Sequence, residues 1–61
     1  MIRVVVADDE TLLRDALESL LALQADIEVV GVAASGAEAL AVIKKLKPDI
    51  AVLDLQMPEG D

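Results

Sequence analysis

The sequence predicts an α/β fold: a doubly wound parallel sheet of which a βαβαβ run in strand order 2-1-3 is present. Three observations predict it. Short, largely β-branched apolar runs occupy residues 2–7, 27–32 and 50–55; two stretches of helical period lie between them; and the links are only a few residues long. Strands alternating with helices over short links imply parallel strands and right-handed crossovers.

The first run, I-R-V-V-V-A from Ile2 to Ala7, is almost continuously apolar, as befits a strand covered on both faces. It stops at Asp8, Asp9 and Glu10. From Thr11 the period changes. Leu12, Leu13, Ala16, Leu17, Leu20 and Leu21 share one helical face, with Arg14, Asp15 and Glu18 largely opposite. Leu12, Leu13 and Leu17 are expected in the core. In the second run Glu28 and Gly31 interrupt Ile27, Val29, Val30 and Val32, a mixture that suits an edge strand. Ser35 to Glu38 reads S-x-x-E, a capping box in which the serine accepts from the N3 amide and the glutamate reaches back to the cap amide. The helix that follows carries Ala39, Leu40, Ile43 and Leu46 at helical spacing. Lys44, Lys45 and Lys47 lie near its C-terminus, where positive charge suits the macrodipole, and Pro48 ends it. These lysines read first as a solvated helix end, with partner docking as the alternative.

Ile50, Ala51, Val52, Leu53 and Leu55 read as a central strand, yet with three strands in the order 2-1-3 this one lies at an edge. The two crossovers run in opposite directions over the first strand, so one helix lies on each face and neither face is fully covered. Residues 1–61 are therefore expected to be incomplete as a folding unit: either they belong to a longer protein, or the third strand pairs with a second copy as a homo-oligomer. A chain of this length buries only about 60% of its unfolded surface. Its core must be built from Val, Ile, Leu and Ala, because no aromatic residue is present.

Composition excludes several chemistries. With no cysteine or histidine there are no disulfides, thiolate zinc sites, thiol nucleophiles or imidazole bases. Twelve acidic against five basic residues give a net charge of −7, which disfavours direct contact with nucleic acid or an anionic membrane. No run of 18 apolar residues and no signal peptide occurs, so a soluble cytoplasmic protein is expected.

Parallel strands end on one side of the sheet, and that side is where open α/β sheets bind ligands. Asp8 and Asp9 after the first strand share it with Asp54 at the end of the third. If the first and third strands are neighbours, they lie about 4.8 Å apart and the carboxylates converge. With the second strand between them the separation is roughly 10 Å, and a shared ion is less plausible. Three crowded carboxylates either retain a proton or recruit a cation, and no lysine or arginine adjoins them in sequence. Mg²⁺, held by one or two carboxylates with waters and a phosphate, fits this inventory. It would screen a phosphoryl group approaching an anionic nucleophile, and a carboxylate can be that nucleophile. The bland alternative is that the Asp pair merely caps the next helix and Asp54 is a solvated strand end.

V-V-V-A-D-D-E at residues 4–10 and V-L-D-L-Q-M-P at 52–58 resemble the receiver domain of two-component response regulators, and S-G-x-E-A-L at 35–40 with K-P-D at 47–49 extends the likeness over the whole chain. It is most similar to the NarL/FixJ group. The resemblance implies a flavodoxin-like (CheY-like) fold and an N-terminal half-domain, the remaining receiver strands and the output domain lying beyond Asp61. It implies Asp54 as the phosphoacceptor, Asp9 as a direct Mg²⁺ ligand, Asp8 as a ligand mainly through water, and Gln56 as donor of a backbone carbonyl. Pro58 would shape the loop beside the phosphoacceptor. A hydroxyl residue after a fourth strand and a lysine after a fifth would follow Asp61. The implied partners are a sensor histidine kinase, which docks in part on the first helix, and DNA through a C-terminal helix-turn-helix domain. Such a domain is no enzyme in its own right, since it transfers phosphate only to its own aspartate. Three rivals fit less well. A haloacid-dehalogenase-type phosphatase carries a second aspartate where Gln56 stands. A dinucleotide-binding half needs a glycine-rich turn in place of Asp8-Asp9-Glu10. A receiver-like module that has lost phosphorylation would lack one of the acids.

Overall fold

The computed structural model describes residues 1–54. Its elements are β1 (Ile2–Asp8), α1 (Thr11–Ala22), β2 (Ile27–Ala33), α2 (Gly36–Leu46) and β3 (Ile50–Asp54). The strands form one parallel sheet in the order β2-β1-β3, the arrangement on which a shared site depends. No helix among the described residues is long and apolar enough to cross a membrane.

The central strand carries the core. Val4, Val5, Val6, Ala7 and Asp8 are all buried, because β1 has a strand on either side and both helices lie over it. Beyond β1 the buried apolar residues are Ala33 and Ala39, which meet Ala7 where the C-terminal ends of β1 and β2 face the first turns of α2. The core is narrower than expected. Among the described residues no leucine or isoleucine is fully buried.

Leu12 and Leu13, expected in the core, are 82% and 46% exposed, and Leu17 is half-buried. The side of α1 turned inward is instead Arg14, Leu17 and Leu21. At about 100° per residue Leu12 lies some 200° from Arg14, on the opposite side of the helix. An arginine therefore occupies part of the face that the periodicity assigned to leucine. Its aliphatic stem can cover apolar surface while the guanidinium finds polar partners.

At β2 the pairing with β1 skips a residue. Val4 pairs with Val29 and Val5 with Gly31, a bulge that leaves Val30 out of the ladder. Gly31 then lies under α2. A Cβ there would stand 2.9 Å from Val42 Cγ1 and 3.0 Å from Leu46 Cδ1. Glycine is what lets the helix approach this closely.

The S-x-x-E motif caps α2 with one change of partner. Ser35 Oγ accepts from the Glu38 amide at 3.2 Å, as expected, but Glu38 Oε1 accepts from Ala34 N–H at 2.7 Å, one residue before the cap. At the other end Lys47 adopts a left-handed conformation with φ 49°, and its N–H donates to the Ile43 carbonyl. Pro48 disfavours a right-handed helical conformation at the preceding residue, so the helix closes at Lys47. Arg3 braces this turn, with Nη1 donating to the Lys47 carbonyl at 3.0 Å. Arg3 N–H donates to Asp49 Oδ2, and Asp49 N–H to the Arg3 carbonyl, each at 2.8 Å, which leads the chain into β3. Neither helix covers β3 to a comparable extent, and Ile50 and Leu53 remain half-exposed.

The tight seat of α2 predicts that Gly31→Val, which forces Val42 and Leu46 aside, destabilises the fold by about 1–3 kcal/mol. A urea melt reads this as a lower midpoint. An unchanged midpoint would show that α2 can lift without cost.

Candidate functional site

β1 and β3 run in register to their last residues, where Asp8 pairs with Asp54. The pairing follows from the strand order: both runs are apolar up to the acid, and both acids stand at the C-terminal edge. β1 is covered and β3 is not, so the two aspartates have different surroundings. Asp8 is 1% exposed, whereas Asp54 and Asp9 are exposed.

Asp8 Oδ1 accepts from the Glu10 N–H at 2.8 Å, the side-chain turn that aspartate forms with an amide two residues on. Asp8 Oδ2 is buried and has no hydrogen-bond partner among the described residues. An unpaired carboxylate oxygen in such a place is costly unless something positively charged reaches it. Asp8 lines a pocket of about 270 Å³ together with Asp9, Glu10, Leu13 and Asp54. All three acids predicted from the sequence to hold a metal and to be described thus meet at one pocket. Gln56, the fourth predicted contributor, and Met57 and Pro58 lie outside the described residues.

Capping of α1 does not explain the acids. Glu10 occupies the N-cap position and makes no side-chain capping bond, and Asp8 is engaged with an amide ahead of the helix. The convergence is looser than a direct tridentate site, since among the described residues no three carboxylates stand close enough to ligate one ion together. A hydrated Mg²⁺ suits this spacing. It dehydrates reluctantly and binds through one or two carboxylates, keeping waters that can bridge to the rest. The orphaned Asp8 Oδ2 is a natural acceptor for such a water.

Two contributors escape a reading of the sequence. Glu10 adds a fourth acid to the pocket lining. Arg14, assigned by periodicity to the solvent face and not adjacent to the acids in sequence, is half-buried and donates from Nη1 to the Asp8 carbonyl at 3.0 Å. The available signal was its place one turn after Glu10, because long helical side chains lean back toward the N-terminus. Lys44, Lys45 and Lys47 are exposed at the C-terminal end of α2, as expected of a solvated helix end.

The family model described as the response regulator receiver domain matches residues 4–61. Among curated relatives, the uncharacterized transcriptional regulatory protein YhcZ of Bacillus subtilis (strain 168) is 52% identical over 97% of this chain and 28% of its own length. A protein-glutamate methylesterase/protein-glutamine glutaminase of Methanospirillum hungatei JF-1 is 48% identical over 100% of this chain and 18% of its own. The chain thus spans less than a third of either relative. Among solved structures, the response regulator domain of Thermotoga maritima CheB superposes with a TM-score of 0.90 at 41% identity, covering 95% of this chain and 43% of that one. The signal receiver domain of the putative response regulator NarL from Mycobacterium tuberculosis gives 0.88 at 47% identity, covering 98% and 48%.

The orphaned oxygen makes a testable demand. Asp8→Asn keeps an acceptor for the Glu10 amide while removing the buried charge, so without divalent metal it should stabilise the fold by about 1–2 kcal/mol. Denaturant melts in a chelator measure this. A loss of stability would mean that the Asp8 charge is already compensated within the fold.

Proposed function

This chain belongs to the response regulator receiver domain family, and from that membership we propose that it is the phosphoacceptor part of a two-component regulator, with Asp54 taking the phosphoryl group. The observation that carries the reading is the pocket at the sheet edge, where exposed Asp54 stands in register with buried Asp8. An Asp54 carboxylate oxygen attacks the phosphorus of a phosphohistidine on a sensor histidine kinase. The P–N bond breaks, the imidazole leaves with the electron pair, and Asp54 becomes an acyl phosphate. Exposure gives Asp54 access to so large a donor; burial denies it to Asp8.

Receiver domains use Mg²⁺ for this chemistry, and here Asp9 and Asp54 would hold the ion directly, Asp8 through water and Gln56 through its backbone carbonyl. When bound, the ion screens the charge between phosphoryl group and nucleophile. Asp8 contributes by being fixed at the end of the central strand, where its Oδ1 is tied to the Glu10 amide and its Oδ2 is left for the hydrated ion.

We further propose that residues 1–61 are the N-terminal half of the receiver, with the remaining strands packing beside β3. The chain's coverage of 43% and 48% of the two solved receivers supports this, as do the half-exposed Ile50 and Leu53. In the whole protein the receiver would control transcription through a DNA-binding output domain in the cytoplasm. Relatives called transcriptional regulatory proteins favour that output over the methylesterase that other relatives carry. An edge pairing of β3 with a second copy is the alternative fate of that strand.

In the complete receiver domain, acetyl phosphate with Mg²⁺ should add one phosphoryl group that Asp54→Asn abolishes, while the 61-residue chain alone is labelled slowly or not at all. Intact mass reads both. Undiminished labelling of Asp54→Asn, or steady turnover of acetyl phosphate without a labelled protein, would contradict the assignment, the second in favour of a phosphatase.

A further inference from the structure

We infer that Arg14 is a positioning residue for the metal pocket, acting through the Asp8 backbone. The inference rests on the proposed Mg²⁺ site. Arg14 stands in the second turn of α1, on the side turned to the sheet with Leu17 and Leu21, and its Nη1 donates to the Asp8 carbonyl at 3.0 Å. Asp8 is therefore held from two sides. The Glu10 amide fixes Oδ1, and the Arg14 guanidinium fixes the carbonyl. With both fixed, the remaining oxygen, Oδ2, is the one with no hydrogen-bond partner among the described residues, on a residue that lines the pocket. The Arg14 N–H donates to the Glu10 carbonyl at 2.9 Å, the first backbone bond of α1, which sets the start of the helix against the Asp8-Asp9-Glu10 turn.

The placement is not what packing alone would choose. The exposed Leu12 and Leu13 show that apolar residues were available in this helix, yet the inward position beside the turn is held by an arginine. A charge-assisted bond to a carbonyl at a half-buried position is stronger than a neutral one. Among the described residues the pocket lining contains four acids and no base. The guanidinium thus sits behind the carboxylates, against the backbone that carries them, where it steadies Asp8 without occupying the space of a cation.

Arg3 supplies an internal control. It makes the same kind of bond, from guanidinium Nη1 to the Lys47 carbonyl at 3.0 Å, at the opposite end of the sheet. The test is the Mg²⁺ dissociation constant of the complete receiver domain, measured calorimetrically for wild type, Arg14→Met, Arg14→Lys and Arg3→Met, with urea melts in chelator beside it. Groups that orient metal ligands cost about tenfold or more in affinity when removed, so Arg14→Met should raise the constant about tenfold. Arg14→Lys, which returns a cationic donor, should bring it back to within about threefold of wild type by the same reasoning. Arg3→Met should lower the urea midpoint while leaving the constant within about twofold. If Arg14→Met does not fold, Arg14→Gln is read in its place. Equal Mg²⁺ affinity in wild type and the neutral Arg14 variant overturns the inference and leaves the metal site standing. Equal weakening by Arg3→Met, or no recovery with Arg14→Lys, also overturns it, the first by showing general loosening. A wild-type domain that does not bind Mg²⁺ overturns the site and the inference together.

Discussion

The position of β1 between β2 and β3 is the constraint from which the rest of this structure follows. A strand paired on both edges and covered on both faces must be apolar along its length, and Val4 to Ala7 meet that demand. The same burial extends one residue further, to Asp8, where it is no longer favourable. Because β3 pairs in register with β1 up to that residue, Asp54 is delivered beside it. A different strand order would leave both acids in the sequence and separate them in space.

Burying Asp8 sets stability against function. Its Oδ1 is satisfied by a backbone amide, its Oδ2 has no hydrogen-bond partner among the described residues, and an aspartate in that state opposes folding. The core that must offset this is small, built of valine and alanine with no aromatic bulk. What the fold offers instead is geometry: a glycine that seats α2 close on the sheet, a capped start to that helix, and two arginines that tie helix or turn to backbone carbonyls. Both guanidinium bonds brace the central strand, one near each end.

Much of this was legible in the residues. The change of period at Thr11, the broken apolar run around Gly31 and the S-x-x-E motif located the elements and put β2 at the edge, because each is a local consequence of backbone preference or of one-sided burial. Asp8 and Asp54 could be paired because parallel strands end together. The misses share a cause, which is the freedom of long side chains and the breadth of a helical face. Periodicity counted Leu12 as core and Arg14 as solvent-facing, yet the helix turns Arg14 inward and leaves Leu12 exposed on the opposite side. Glu38 reached Ala34 in place of the Ser35 amide for a similar reason, since a flexible carboxylate can choose between adjacent donors. The convergence of the acids was foreseen and their separation was not, for strand spacing fixes Cα positions and leaves the carboxylates room to spread.

The central claim is that the acids at the ends of β1 and β3 act as one cation site. Its most direct test is an NMR titration of the ¹⁵N-labelled complete receiver domain with Mg²⁺ alone. The amides of Asp8, Asp9, Glu10 and Asp54 should shift together along a single binding curve, while those of Arg3, Lys47 and Asp49 at the far end of the sheet stay still. Shifts centred on other acids, or separate curves for the β1 and β3 ends, would contradict it.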